Sequence, residues 1–391
     1  MVAEVEAELL VPGLPPYVHG PVRLNLTSSR DQASLRKTLE ERCPQAAENL
    51  PLPIDWTYIL ASFCKQGLQW HREGRPAVTI TGSADAKPPE WFLDPFIIKR
   101  NPVLLFGDGG TAKSSVAQAV AMSCALPWGD NPMRWKAPTR SIQTLYCDWE
   151  SNEEVMDYRM LKLRMGHGFP ELPFLHHVTC AMPLASEIEH IARKIIHFKA
   201  EIIIIDSATG ACGGDINKPE TASPFFAAIR SLDVASLIIH HVSKENQKTK
   251  LQTPVGSYQF WTTPRLIWCS RKISEEKHGD VSTLVVSLKD IKHNDLPPHR
   301  PFGLRFEFSP TIIRVSYEST ADSPELGEDE PLHIRITRSL RHGPRSSQDL
   351  VEELRASKTT IQSRLTELHK RNQIVNVKGA WALATDQDEN D

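Results

Sequence analysis

Between residues 90 and 315 the chain alternates short apolar runs with stretches whose apolar residues recur at helical spacing. That alternation predicts an α/β domain around a parallel sheet. Strands are expected at 102–106, 144–147, 202–205, 236–240, 265–269 and 284–288. Ile202, Ile203, Ile204 and Ile205 form an unbroken run, which suits a central strand buried on both faces. Upstream, one helix is expected from Ser29 through Leu35 and Leu39. A second is expected over 56–70, with Ile59, Leu60, Phe63 and Leu68 as its apolar stripe. Residues 77–80 read as a strand, and the first fifteen residues as a loop or extended arm. Downstream, a helix over 332–340 is followed by one that Ser347 caps, over 348–355. A third opens at Ser357 or Lys358 and runs to about Arg371, with Ile361, Leu365 and Leu368 on one face. Residues 373–377 and 380–383, joined by Lys378 and Gly379, read as a hairpin. Three helices and such a hairpin predict a winged helix.

The expected organisation is therefore an N-terminal helical region (1–85), an α/β core (86–315), a linker (316–330), a winged helix (331–384) and a disordered tail (385–391). Charge sharpens these boundaries. Residues 316–330 hold Glu318, Asp322, Glu325, Glu328, Asp329 and Glu330 with no Lys or Arg, the composition of a solvated linker. Residues 331–384 hold ten Lys or Arg against four Asp or Glu, a local net of +6, although the whole chain of 391 residues carries −3. Any nucleic-acid surface must therefore be local. The seven cysteines, at 43, 64, 124, 147, 180, 212 and 269, show no zinc or CxxC spacing and fit a reducing cytosol. No apolar run is long enough for a membrane span. Glu4, Glu6 and Glu8 replace the basic start of a signal peptide, so a cytoplasmic location is expected.

The candidate chemistry begins after the first core strand. Gly107-Asp-Gly109-Gly110-Thr111-Ala112-Lys113-Ser114-Ser115 follows an apolar strand and opens a helix. It matches the phosphate-loop pattern GxxxxGK[ST] except that Ala112 stands where the last glycine belongs. Backbone N–H groups of such a loop surround phosphate oxygens, and the helix start directs its positive dipole end at the anion. Lys113 would reach the β and γ phosphates of ATP, and Ser114 would complete Mg²⁺ coordination. The isoleucine strand ends in Asp206, placed to hold Mg²⁺ beside Ser114. Asp148 and Glu150 end another strand; either can serve an attacking water, or the pair can cap the helix opened by Asn152, Glu153 and Glu154. His241 ends a further strand, where a polar side chain can bond the γ-phosphate or serve structure alone.

The ordered set GDGGTAKSS (107–115), ALPWGD (125–130), TLYCDWESNEE (144–154), IIIIDSATGACGGDIN (202–217), LIIHHVSK (237–244) and GSYQF (256–260) resembles the AAA_25 group of RecA-fold ATPases. Its best-known members are the plasmid RepA-type hexameric replicative helicases, and the resemblance spans about 90–310. It implies a RecA-like P-loop core and a ring with ATP between subunits. It also implies roles: Lys113 and Ser114 as the Walker A pair, Asp206 as the Walker B acid, Glu150 as the water-activating acid and His241 as the γ-phosphate sensor. The arginine finger falls on Arg265, with Arg271 as runner-up, and a family lysine on Lys292.

The function expected is a DNA-dependent ATPase, a helicase or a replication or recombination motor. The alternative is an ATP-switched DNA-binding regulator or loader without unwinding. The partners expected are further copies of the chain, with a hexamer as the family's ring, and DNA. A single strand would pass loops 213–218 and 243–253, the latter with Lys244, Lys248 and Lys250. Duplex would meet Lys358, Thr359, Thr360, Gln362, Ser363 and Arg364 of the third C-terminal helix, residue types that reach phosphates and base edges.

Overall fold

A computed structural model describes residues 1–9, 17–42, 54–74, 77–169, 171, 175–242, 252–319, 331–377 and 379–384. The chain divides into two compact units, Met1–Ala86 and Lys87–Asp391.

The first unit is not purely helical. Strands β1 (Val2–Leu9) and β2 (Tyr17–Asn25) pair antiparallel, and helices α1 (Ser29–Arg42) and α2 (Trp56–Glu73) pack with them. The strand β1 corrects the loop expected there. Ala3, Val5, Ala7 and Leu9 face the core while Glu4, Glu6 and Glu8 face water, a strict period of two. Alanine and glutamate are poor strand formers, so the alternation carries the strand against propensity. Helix α2 buries Trp56, Leu60 and Cys64, one per turn. That choice leaves Ile59 and Phe63 of the expected stripe 44% and 41% exposed. Residues 77–80 form no strand, because Val78 and Ile80 find neither a partner strand nor a core.

The second unit opens with a small hairpin, β3 (Trp91–Leu93) and β4 (Ile97–Ile98). Its main sheet has strands β5 (Pro102–Gly107), β6 (Thr144–Asp148), β7 (Leu175–Thr179), β8 (Ile202–Asp206), β9 (Ala235–His241), β10 (Leu266–His278), β11 (Val281–His293), β12 (Phe302–Phe308) and β13 (Ile313–Glu318). Their order is β13-β12-β11-β10-β5-β9-β8-β6-β7. Strands β10, β5, β9, β8, β6 and β7 run parallel, and β11, β12 and β13 continue antiparallel. The helices between them are α3 (Lys113–Ala125), α4 (Glu153–Gly166), α5 (Leu184–Phe198), α6 (Ala208–Cys212), α7 (Pro219–Leu232) and α8 (Gln259–Thr262).

Two apolar cores lie on the two faces. Ile202 and Ile204 join Val103, Leu105 and Val120 on one side; Ile203 and Ile205 join Leu104, Phe106 and Phe225 on the other. This is the α/β core that the sequence pattern predicts. It runs past residue 315: Glu318, expected in the acidic linker, closes β13, is buried, and accepts from Arg305 Nε and Nη2 at 2.8 and 3.0 Å. The rest of the expected linker from residue 320, and the tail, lie outside the described residues.

The C-terminal segment contains α9 (Leu332–Arg341), β14 (Arg345–Ser346), α10 (Ser347–Leu354), α11 (Lys358–Lys370), β15 (Ile374–Val377) and β16 (Ala380–Leu383). The three strands form one sheet in the order β14-β16-β15 around a core of Ile336, Leu350, Ile361, Leu365 and Leu368. The cap of α10 is Ser346, in a reciprocal box with Asp349, and not Ser347. Among the described residues no helix is long and apolar enough to cross a membrane.

One buried charged network ties the start of the second unit to β11. Asp290 accepts from the His299 backbone N–H at 3.0 Å and lies 3.3 Å from His299 Nδ1, while His299 Nε2 lies 3.1 Å from Asp94 Oδ1. Burial pushes the His299 imidazole down, but hydrogen bonds to Asp290 and Asp94 outweigh it and raise it to about 9. A histidine with a raised folded value stabilises fully below its unfolded value of 6.5 and loses that contribution as pH rises through about 9. Thermal unfolding followed across that window should show a falling midpoint in the native protein. His299→Gln should lower the midpoint at the acid end and flatten the slope; an unchanged slope would exclude this network as its source.

Candidate active site

Strands β5, β6, β8 and β9 end at the same edge of the sheet, so the loops that leave them converge. The loop after β5 is built by packing as well as by glycine. A Cβ on Gly107 would collide with the carbonyl oxygen of Ser270 on the neighbouring strand β10. Ser270 Oγ in turn donates to the Thr111 carbonyl at 2.8 Å, and Thr111 Oγ1 donates to the Asp108 carbonyl at 2.8 Å. By contrast, Cβ atoms on Gly109 and Gly110 would meet nothing within 4 Å, since both face an open cleft of 520 Å³. Ala112 precedes α3 at φ 57, ψ 23, in the left-handed region. The backbone there is the one a glycine would adopt freely, and the alanine holds it with a Cβ present.

Lys113, Ser114, Ser115, Asp206, Glu150 and His241 line this cleft together with Gly109, Gly110, Thr111 and Ala112. Lys113 is buried and donates its ammonium to the Asp108 carbonyl of its own loop at 2.7 Å. Burial pushes its pKa down, against the pull of Asp206, Glu150 and Asp108. Asp206 is buried at the end of β8, and burial pushes its carboxyl up; Tyr146 and Ser114 oppose that shift by hydrogen bonding, while Glu150 and Asp148 add to it. Tyr146 OH donates to Asp206 Oδ2 at 2.7 Å, and Oδ1 is buried with no partner.

An unsatisfied carboxylate oxygen beside a serine hydroxyl fits a divalent cation. Among the described residues no group of three or more His, Cys, Asp or Glu could hold a metal. Mg²⁺ binds through one or two protein oxygens and keeps its other positions for water and substrate phosphate. Ser114 and Asp206 are the residues that would hold it.

The two acids after β6 are sharply divided. Asp148 is saturated: its Oδ1 accepts the backbone N–H groups of Glu150 and Ser151, both at 2.8 Å. Its Oδ2 accepts Ser151 Oγ at 2.6 Å and lies 3.4 Å from His177 Nε2. Burial alone would raise its pKa, but His177 and Ser151 hold it well below the usual carboxylate range. Its hydrogen bonds shape the turn that presents Glu150. Glu150 is 49% exposed, its Oε1 lies 3.4 Å from His241 Nε2, and that contact lowers its pKa against the effect of burial.

Arg265 is elsewhere. Its backbone N–H donates to Pro102 at the start of β5, whereas Gly107 at the end of β5 lies beside Ser270. Five strand residues, about 17 Å, separate it from the phosphate loop of its own chain. Arg271, the runner-up, follows Ser270 within β10 and so stands beside the phosphate-loop end of β5. Lys292 donates to three backbone carbonyls, Trp261, Thr262 and Pro264, at 2.8, 2.8 and 2.6 Å; it fastens the end of α8. Loop 213–218 is tied to the segment after β9 by Ser257 N–H donating to the Ile216 carbonyl at 2.7 Å. Lys244, Lys248 and Lys250 lie outside the described residues. Arg159 of α4 and Phe308 of β12 also line the cleft, which sequence reasoning did not anticipate. Phe308 sits far along the chain from the loop, and only sheet pairing brings it near.

The strained alanine gives a direct test. Ala112→Gly should raise the free energy of unfolding by about 0.5–1 kcal/mol, the left-handed cost less the added chain entropy of glycine. Denaturant unfolding measures it; a lowered midpoint would contradict the backbone assignment at this position.

Residues 71–247 match the AAA_25 family model, described as an AAA domain. No curated protein matches the chain. Among solved structures it is similar to a KaiC-like protein from the hyperthermophilic archaeon Pyrococcus horikoshii, at 13% identity and a TM-score of 0.39, over 57% of this chain and 93% of that one. The family match covers the phosphate loop and the ends of β6, β8 and β9, whose side chains meet in one cleft; the chain carries a RecA-like P-loop ATPase domain.

Proposed function

We propose that the chain is a DNA-dependent ATPase of the replicative helicase or replication and recombination motor kind, working as a ring with ATP held between neighbouring copies. The observation that carries this reading is the separation of Arg265 from the cleft. Lys113, Ser114, Glu150, Asp206 and His241 gather at one end of the sheet, and Arg265 stands at the other. Phosphoryl transfer gains from a second cation on the developing charge, an arginine supplied in cis or by a neighbour. Arg265 is half exposed, and its contact to the exposed Asp295 at 3.3 Å is a weak surface pair that a neighbour's phosphates can replace.

Within one chain the roles follow from position. The ammonium of Lys113 leaves the Asp108 carbonyl for the β and γ phosphates. Glu150, ionised and half exposed, orients the attacking water and accepts its proton as the bond between the γ-phosphorus and the bridging oxygen breaks, releasing ADP and phosphate. Mg²⁺, when bound through Ser114 and Asp206, neutralises charge on the phosphate oxygens. His241, in contact with Glu150, reports the γ-phosphate. Its strand is tied onward: Val255 N–H donates to the His241 carbonyl at 3.0 Å, and Ser257 N–H to Ile216 at 2.7 Å. That route links phosphate state to loop 213–218, which we place along single-stranded DNA.

The C-terminal segment supports the DNA reading. Lys358, Thr359, Thr360, Gln362, Ser363 and Arg364 of α11 are all exposed, and its helix and strand order suits a winged helix on duplex. The deciding experiment measures ATP turnover with and without single-stranded DNA, beside light scattering for assembly. Stimulation by DNA and a ring-sized mass are expected; neither appearing would remove the proposal. Unwinding of a forked duplex separates the motor from an ATP-switched regulator or loader.

Glu150→Gln should retain ATP binding and cut turnover by about 10²-fold or more. Asp148→Asn should chiefly destabilise the fold; if it alone abolishes turnover in a folded protein, the roles are reversed. Inactive Arg265→Ala and inactive Lys113→Ala subunits, once mixed and exchanged, should regain turnover at interfaces that combine an intact Lys113 with an intact Arg265. Exchange without recovery would exclude a shared site.

A further inference from the structure

Away from the nucleotide cleft, a second depression of 310 Å³ lies between the segment after α3, the start of β12 and the end of β13. Its size falls at the lower end of small-molecule sites, about 300–1,000 Å³. The buried side chain of Asn131 builds its rim: it donates to the Trp128 and Trp135 carbonyls at 2.8 and 2.7 Å and accepts the Trp135 N–H at 2.9 Å. That turn holds Arg134 in the left-handed region at φ 61 and sets its guanidinium 4.5 Å from the centre of the Tyr317 ring. Phe302 stacks nearly parallel on Tyr317, 13° between planes, and continues the aromatic floor.

The polar groups here are almost all donors. Trp135 is 4% exposed, lines the depression, and its indole N–H has no acceptor. Arg134, Lys136 and Arg300 are exposed and form no ion pair among the described residues. The one lining carboxylate, Asp94, is committed to His299 at 3.1 Å. The left-handed backbone of Arg134 is strained, and a buried donor without an acceptor is costly as well. An anion that also offers a flat face would supply the missing acceptor and meet the three cations.

We infer that this depression is a second nucleotide-recognition site, taking the phosphate of a nucleotide on Arg134, Lys136 and Arg300 and its base against Tyr317 and Phe302. Cations interleaved with aromatic faces are the chemistry of single-strand binding, where every base offers a π face and every linkage a charge. A free nucleotide presents the same groups. The site does not depend on turnover in the first cleft or on the C-terminal segment.

The test uses the full chain with the first cleft filled by a non-hydrolysable ATP analogue. A bromouracil oligonucleotide and bromodeoxyuridine monophosphate are irradiated with it in parallel, and crosslinked peptides are mapped by mass spectrometry. Adducts on Tyr317, Phe302 or Trp135 are expected. They should fall about tenfold in Arg134→Ala/Lys136→Ala/Arg300→Ala, whose salt slope for the oligonucleotide should be shallower by about 2, at about 0.7 per phosphate contact. Adducts from the oligonucleotide assign the site to a strand, and adducts from the monophosphate alone assign it to a free nucleotide; either supports it. Adducts confined to α11 or loop 213–218, with binding unchanged in the triple variant, overturn the site and leave the proposed function standing. Displacement by an acidic peptide where neither nucleotide probe binds overturns it too. Equal thermal midpoints establish that the triple variant is folded; should it melt early, Lys136→Glu alone gives the same reading, since its side chain is exposed and forms no ion pair among the described residues.

Discussion

The active end of this molecule depends on keeping a lysine and an aspartate out of water at the edge of one sheet. Lys113 and Asp206 are 7% and 4% exposed. Burial pushes the pKa of the lysine down and that of the aspartate up, so each charge is costly alone. Their mutual attraction, the Tyr146 hydroxyl and the Asp108 carbonyl offset part of that cost. The aspartate oxygen left without a partner is what a cation and phosphates would complete. Strands β5, β8 and β9 are buried on both faces; β5 carries no polar side chain and β8 only Asp206, while β9 adds Ser236, His240 and His241.

The same edge sorts two acids that stand two residues apart. Asp148 spends its lone pairs on the turn, and Glu150, delivered by that turn, keeps its carboxylate half in solvent against His241. A saturated carboxylate is a poor acceptor for a water's proton, whereas a half-exposed one can receive it. This difference in hydrogen-bond supply, and not chemical type, favours Glu150 for the reaction. Arg265 is set apart on the same principle of position: the parallel register of β10 with β5 fixes which end of the sheet it occupies.

Much of the core was readable in one dimension. Alternating apolar runs, glycines before a helix-opening lysine, and an isoleucine strand ending in an acid each depend on a few adjacent residues. The strand β1 rests on an equally local pattern, an alternation of small or apolar residues with glutamates, but weak strand propensity led to a loop or extended arm being expected there. The boundary at Glu318 was missed because a buried acid looks like a solvated one until Arg305 is seen beside it.

What the sequence by itself determined is therefore local: six of the nine strands of the main sheet, with β7, β12 and β13 left unread, where the phosphate loop lies, and which acids and histidine end the strands. Tertiary structure alone decided the rest. It brought Phe308 and Arg159 into the cleft, separated Arg265 from it, filled the lone pairs of Asp148 and left Asp206 Oδ1 open. It also joined Arg134 to Tyr317 across 183 residues of chain. The physical reason is range. Backbone pattern follows from neighbours within a turn or a pleat, while hydrogen-bond saturation, desolvation and ring contact depend on groups that only sheet register and helix packing bring together.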